Sequence, residues 1–325
     1  MSLSSSVIIL MATYNGEHYI KKQIDSICSQ TYQDWMLIIR DDGSSDNTRE
    51  IIQNYCNTNP RIKLLQNNSN QHGAYLNFWT LINYAKNNIK FDYCFFADQD
   101  DIWLSSKLEA MTNYAKQFDE TKPLMIYSDM QLIDGNDQVT LNSVNSEMGI
   151  GAMCGLTEYY SSGFIWGCAS LINYRLMEIV PVFPLNRKEI SIVSHDNYYA
   201  KFCLGHGEIH YFDQVCIQHR RHSENVTSGN NIKMTTLMAI KRLLFGYQKT
   251  AKTHAGGYKQ TLLTIEMMKH SNLVTQDALE VEKAIKKGGL YGVRMLKKHY
   301  VRRKQWSRTI GIYTIMFLKS YKKYM

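Results

Sequence analysis

Over its first 130 residues or so the chain alternates short apolar runs with amphipathic stretches, and this alternation constrains the fold more than any other feature. Val7 to Met11, Met36 to Ile39, Ile62 to Leu65, Tyr93 to Ala97 and Leu124 to Tyr127 have the length and apolar character of buried strands. Between them, Glu17 to Gln30 sets Ile20, Ile24 and Ile27 on one helical face. Thr48 to Cys56 reads as a shorter helix, and Ala74 to Asn87 presents Leu76, Trp79, Leu81, Ile82 and Tyr84. The pattern predicts an α/β fold whose sheet is mainly parallel, joined by right-handed crossovers. In such sheets ligands bind beyond the carboxyl ends of the strands, so the residues there are the candidates for chemistry.

Three strand ends carry such residues. After Val7 to Met11 comes Ala12-Thr13-Tyr14-Asn15-Gly16, small enough for close ligand approach, with Asn15 as a cap for the next helix. After Met36 to Ile39 comes Arg40-Asp41-Asp42-Gly43-Ser44-Ser45-Asp46-Asn47-Thr48. Its paired acids suit hydrogen bonds from a base or ribose, and its Asp46, Thr48 and Gly43 equally suit a plain turn and helix cap. The third is Asp98-Gln99-Asp100-Asp101, where an aromatic-rich run ends in three carboxylates. Carboxylates this close repel one another and are best tolerated around a hard divalent cation. The alternative is a loop in which Asp98 or Asp101 caps a helix starting near Ser105.

Composition narrows the classes. With 325 residues and 44% hydrophobic content, the chain can bury one large core or two modest ones. Its seven cysteines include no C-x-x-C pair, which argues for a reducing compartment and against a zinc or disulfide framework. Met1 to Ser6 lacks the pattern of a secretory leader, so the expected setting is cytoplasmic and the sequons at Asn67 and Asn225 carry no meaning. Neither G-x-G-x-x-G after the first strand nor G-x-x-x-x-G-K-[ST] occurs, which speaks against a dinucleotide dehydrogenase or a P-loop enzyme. Charge is lopsided. Lys283 to Met325 holds thirteen Lys or Arg and no acid, and subtracting these from the net +8 leaves residues 1–282 at −5. The tail is built to meet an anionic surface.

Taken together, Met11 to Gly16, Gln23-Ile24-Asp25-Ser26-Ile27 with Ser29-Gln30-Thr31-Tyr32, Arg40 to Asp46 and Asp98 to Asp101 resemble family 2 nucleotide-sugar glycosyltransferases of GT-A fold. The resemblance extends past residue 220. It implies a nucleotide base held by the backbone of Ala12, Thr13 and Tyr14 and by Asp42. Asp98 and Asp100 match the family's D-x-D, in which Asp100 would bind Mg2+ or Mn2+ bridging the diphosphate, and Asp98 would contact ribose or metal. Asp101 is left between a supporting acid and a helix cap. Ser162 to Ala169 resembles the segment lining the sugar and acceptor site, with Trp166 either stacking on a sugar or packed in the core. Ser194-His195-Asp196 resembles the acidic base motif; it makes Asp196 the general base or an N-cap, and His195 an acceptor contact or a satisfied polar residue. Arg221 and His222 match a basic motif that closes over the diphosphate, His222 completing the metal shell, or form a solvated loop.

The implied enzyme is an inverting, metal-dependent transferase using dTDP-rhamnose or a UDP-sugar, by resemblance to rhamnosyltransferase-like branches. Its acceptor would be a growing, lipid-linked polysaccharide. Residues 1–230 would form the catalytic domain, 1–130 binding nucleotide and 131–230 acceptor. Residues 231–325 would be helical, broken at Ala255-Gly256-Gly257 and Gly288-Gly289. Thr309 to Leu318, apolar and flanked by Lys and Arg, fits a segment lying in the inner face of a membrane, a helical cap, or a dimerisation helix. Nucleic acid is not an expected partner, and a homo-oligomer is left open. A nucleotide-sugar sensor or a membrane scaffold are the competing functions.

Overall fold

The computed structural model describes residues 3–67, 71–149, 157–160, 165–222, 246–299, 301 and 306–325. Its main sheet runs, edge to edge, Ile62–Leu65, Trp35–Asp41, Val7–Thr13, Tyr93–Ala97, Ser170–Asn173, Leu124–Ile133, Glu208–Arg220 and Ile102–Trp103, with Val139–Leu141 beside Leu124–Ile133. The first four pair in parallel as the sequence pattern predicts. Ser170–Asn173 is antiparallel to both its neighbours, and Glu208–Arg220 is parallel to Leu124–Ile133.

The central strands show why the sheet forms. In Val7–Thr13 the pleat sends Ile8 and Leu10 to one apolar cluster and Val7, Ile9 and Met11 to the other, and all five are fully buried. Helices cover both faces. Ile20–Cys28 packs Ile20, Ile24 and Ile27 on one side, and Ala74–Asn88 buries Leu76, Trp79, Leu81 and Ile82 on the other.

The C-terminal region is helical: Tyr247–His270, Gln276–Lys287, Gly289–Lys298 and Trp306–Leu318. The expected break at Ala255-Gly256-Gly257 is absent, because Ala255 and Tyr258 are buried on one face and hold a continuous 24-residue helix. The break at Gly288-Gly289 is real. Both residues have positive φ, 58° and 61°, and a Cβ on Gly288 would lie 2.8 Å from the Tyr321 hydroxyl oxygen. These helices share one apolar cluster with the sheet, from Ile8 and Phe96 through Met268 and Ile285 to Ile315 and Tyr321. They cover the same core. The expected domain boundary at 230 lies outside the described residues, as do Arg302 to Lys304.

Thr309 to Leu318 is divided between two environments. Ile312, Ile315 and Met316 are buried, whereas Ile310, Phe317 and Leu318 face solvent. Among the described residues no helix is long and apolar enough to cross a membrane.

Candidate active site

The strand ends converge. Asp42 N–H donates to the Thr13 carbonyl at 2.9 Å, closing the gap between the first two parallel strands. The Asp41 carboxylate is spent on its own turn, accepting from the Gly43 and Ser44 N–H groups and the Thr13 hydroxyl. Asp42 is buried and held at both oxygens: its Oδ1 accepts from Arg40 Nη1 at 3.2 Å and its Oδ2 from Gly73 N–H at 2.7 Å. Asn15 does not cap the following helix. It adopts φ 46° and its Oδ1 accepts from Ser45 N–H, tying the two strand ends together.

Tyr14 departs from expectation. Its N–H donates to Gln99 Oε1 at 2.8 Å and its carbonyl accepts from Gln99 Nε2 at 2.9 Å, so the backbone is taken up and the ring, 56% exposed, is what it offers a ligand. Gln99, between Asp98 and Asp100, thus ties the acidic loop to the end of the strand Val7–Thr13. The fit requires Gly16, where a Cβ would lie 2.5 Å from Gln99 Oε1.

The acidic loop is held from the far end of the chain. Asp100 Oδ2 lies 2.8 Å from His222 Nε2. Arg220, wholly buried, donates from Nε to the Asp100 carbonyl at 2.8 Å and from Nη1 to the Asp134 carbonyl at 2.9 Å. It pairs with Asp137 and lies 4.5 Å over the Tyr19 ring. Asp101 does not cap a helix: the helix starts at Lys107 after Ser106, and Asp101 Oδ1 accepts from His219 Nδ1 at 2.9 Å and Arg220 N–H at 3.0 Å. The sequence reading missed Gln99, His219 and Arg220, although the run His219-Arg220-Arg221-His222 was the visible signal for two of them.

Electrostatics separate the three acids. Burial, followed by the charges of Asp101 and Asp100, pushes the Asp98 carboxyl well above the ordinary range, and burial with Asp101 raises Asp100 against the pull of His222. Burial also opposes ionisation of Asp101, but the His219 charge and hydrogen bond outweigh it and leave its carboxyl low. His219 in turn is driven up to about 9 by Asp101 despite its burial. Asp98 and Asp100 therefore form a site short of positive charge, with His222 at its rim. Two carboxylates and an imidazole are donors of the kind Mg2+ or Mn2+ takes. Among the described residues, the grouping whose ligand atoms lie within 4.8 Å of one another is Asp98, Asp101, Cys168 and His219.

Asp196 stands in the first turn of the helix His195–His206. Gly167 N–H donates to its Oδ2 at 3.1 Å and Asn197 N–H to its Oδ1 at 2.6 Å. It is only half-buried, and its charge is felt by Asp98 and by Tyr75. His195 does not face the acceptor side. Its ring is buried, packed 4.2 Å from Phe78 and 4.4 Å from Phe96, with neither ring nitrogen hydrogen-bonded. Burial holds it at about 4, hence neutral. Trp166 is half-buried against the second core cluster, and Arg221 leaves the sheet with its N–H on the Ile133 carbonyl.

The sequence model of glycosyl transferase family 2 matches residues 8–178, just over half of the chain. The chain belongs to glycosyl transferase family 2. Among relatives of this family it is 32% identical over 156 residues to an Escherichia coli UDP-Glc:α-D-GlcNAc-diphosphoundecaprenol β-1,3-glucosyltransferase, covering 45% of this chain and 58% of that one. It is 40% identical over 100 residues to a dTDP-rhamnosyl transferase of Shigella flexneri, covering 30% of this chain and 34% of the other. The matches thus span only part of these relatives. Two solved structures share the fold at low identity. The TarS 1–349 fragment of S. aureus, in complex with UDP-GlcNAc, superposes with a TM-score of 0.52 at 16% identity, over 98% of this chain and 92% of that one. A mannosyltransferase of Pyrobaculum calidifontis, in complex with GDP-Man and Mn2+, does so at 0.51 and 15%, over 98% and 87%. The GT-A expectation for this member of the family is met.

Proposed function

We propose that the protein is an inverting glycosyltransferase that moves a sugar from a nucleoside-diphosphate donor, dTDP- or UDP-linked, to a hydroxyl of a growing, lipid-linked polysaccharide. What supports this reading is the pairing of Asp100 with His222 at 2.8 Å, beside a buried Asp98 that feels the charge of Asp196, itself a half-buried carboxylate fixed by two backbone N–H groups. Residues 1–230 act as the catalytic unit and residues 231–325 as its helical cover.

Asp100 and His222, with Asp98 beside them, would hold Mg2+ or Mn2+, which when bound neutralises charge developing on the departing diphosphate. The chain's own residues do the rest. Asp42 accepts from the base and the Tyr14 ring lies against it, while Arg221 supplies positive charge to the diphosphate. Asp196 takes the acceptor hydroxyl's proton as its oxygen attacks the anomeric carbon from the face opposite the leaving group, which inverts the configuration there. The Gly167 and Asn197 N–H groups keep that carboxylate aimed. Trp166 lies next to Gly167 and marks the sugar side of the site. His195 acts from beneath rather than by touching acceptor.

The relatives support the donor classes without choosing between them, since one is named for UDP-Glc and another for dTDP-rhamnose. The experiment is thermal stabilisation by UDP, dTDP and GDP, each with Mn2+ and with EDTA, on the wild type and on Asp100→Ala, with sugar transfer measured on Asp196→Asn. A metal-dependent shift of the wild type by UDP or dTDP, lost in Asp100→Ala, is expected. Asp196→Asn should bind donor normally and lose transfer by about 100-fold or more. If Asp196→Asn transfers at the wild-type rate, the base is assigned wrongly; if no nucleotide shifts the wild type, the enzyme reading fails in favour of the scaffold.

A further inference from the structure

Arg40 sits at the end of the strand Trp35–Asp41 with 3% exposure, deeper than a charge belongs without a reason. Its guanidinium forks. Nη1 donates to Asp42 Oδ1 at 3.2 Å and to Asn77 Oδ1 at 2.9 Å, and Nη2 donates to Asn67 Oδ1 at 2.7 Å. Asn77, also buried, returns its amide to the carbonyls of Arg40 at 2.9 Å and Thr13 at 3.3 Å. The network therefore reaches both walls of the base site, the Thr13 strand end and the Asp42 carboxylate. Gly73 N–H fixes the second Asp42 oxygen, and His72 Nδ1 lies 2.8 Å from the Asp42 carbonyl.

We propose that Arg40 is a positioning residue that gives the donor site its preference for a base carrying an imide N–H, uracil or thymine, over cytosine. The inference rests on the donor reading above. An ionised carboxylate has acceptor sites only. Arg40 holds Asp42 in one orientation: Oδ1 accepts from Arg40 at 3.2 Å and from the Asn67 amide at 3.5 Å, while Oδ2, accepting from Gly73 N–H at 2.7 Å, keeps a lone pair for the base. A ring N–H donates to such a group, whereas the bare ring nitrogen of cytosine meets it acceptor to acceptor and leaves both unpaired. With Arg40 gone, Asp42 is free to turn its oxygens away from the base, and the distinction between the bases collapses.

The test uses the full chain with Mn2+ and measures binding of UDP, dTDP and CDP to wild type, Arg40→Gln and Arg40→Lys. The wild type should bind UDP and dTDP at least about tenfold tighter than CDP. In Arg40→Gln, UDP and dTDP affinity should fall by about tenfold with CDP nearly unchanged, and the donor KM should rise with little change in kcat. Arg40→Lys, which keeps the charge but loses the fork, should fall between. Should Arg40→Gln not fold, Arg40→Lys decides by the same ratio. An equal loss for all three nucleotides, or unchanged selectivity in the folded variants, overturns the proposal in favour of a purely structural Arg40. A wild type that binds no nucleotide overturns the donor reading itself, and a wild type that binds CDP as well as UDP overturns this inference while leaving that reading standing.

Discussion

His195 is neutral because desolvation by Phe78, Phe96 and the backbone of Gly167 leaves no partner for a proton. Its pKa falls from 6.5 to about 4 on folding, so below pH 6.5 the unfolded chain binds the proton more readily. Stability is therefore intact above pH 6.5 and is lost as the pH falls toward 4, by on the order of 3 kcal/mol from this residue. Thermal unfolding from pH 7.5 down to pH 4.5 should show a shallower acid limb in His195→Gln than in wild type; equal slopes would mean that His195 finds a partner when protonated. At this scale the sequence was readable where the signal is local. Asp98, Asp100 and Asp196 stand out by residue type at strand and helix ends. Arg40, Gln99 and Arg220 do not, because what makes them matter is burial beside partners far along the chain. A lone Arg or Gln looks the same whether solvated or enclosed.

Elements were legible to within a few residues where one periodicity ruled. Ile62–Leu65 and Tyr93–Ala97 fall where the apolar runs place them, and Ala74–Asn88 extends its expected span by one residue. The antiparallel strand Ser170–Asn173 was not legible, since four residues carry no direction in their side chains. Glycine misled at Ala255-Gly256-Gly257 because intrinsic preference yields to burial of the flanking face. Gly256 itself is exposed, and a Cβ there would meet nothing within 4 Å. Gly256→Ala should accordingly stabilise the protein by about 1 kcal/mol, read as a higher denaturant midpoint with unchanged slope. Gly207 is the contrast, as its Cβ would fall 2.0 Å from the Pro123 carbonyl oxygen. A midpoint that drops in Gly256→Ala would show that the helix is strained there.

For the whole molecule, the basic tail is a cover rather than a free arm, yet its outer face is unusual. Of the seven large hydrophobics that stand exposed among the described residues, five are Leu290, Ile310, Phe317, Leu318 and Met325. Lys319 lies against Gly288-Gly289 and Lys322 Nζ reaches the Lys286 carbonyl, so Leu290 and the helix end share one rim with lysines around it. This patch suits the interface of an anionic bilayer, where apolar side chains sink and lysines stay at the headgroups. Cosedimentation should recover the protein with vesicles containing phosphatidylglycerol and not with neutral ones. Phe317→Ser with Leu318→Ser should weaken this at least about fivefold without altering nucleotide binding. Equal recovery of the wild type and the double variant with neutral vesicles would instead point to another contact.

The far-end grip on the acidic loop sets an order of events during synthesis. His219, Arg220 and His222 reach Asp100 and Asp101 across 118 to 122 residues of sequence. A nascent chain that has emerged only through its first half already carries the first four parallel strands, with an acidic loop tied to Tyr14 through Gln99 but not yet gripped from the far end. That grip forms late in translation, once the strand Glu208–Arg220 slots beside Leu124–Ile133. A ribosome stalled before that point displays a polypeptide that can fold in part but lacks these contacts on the acidic loop.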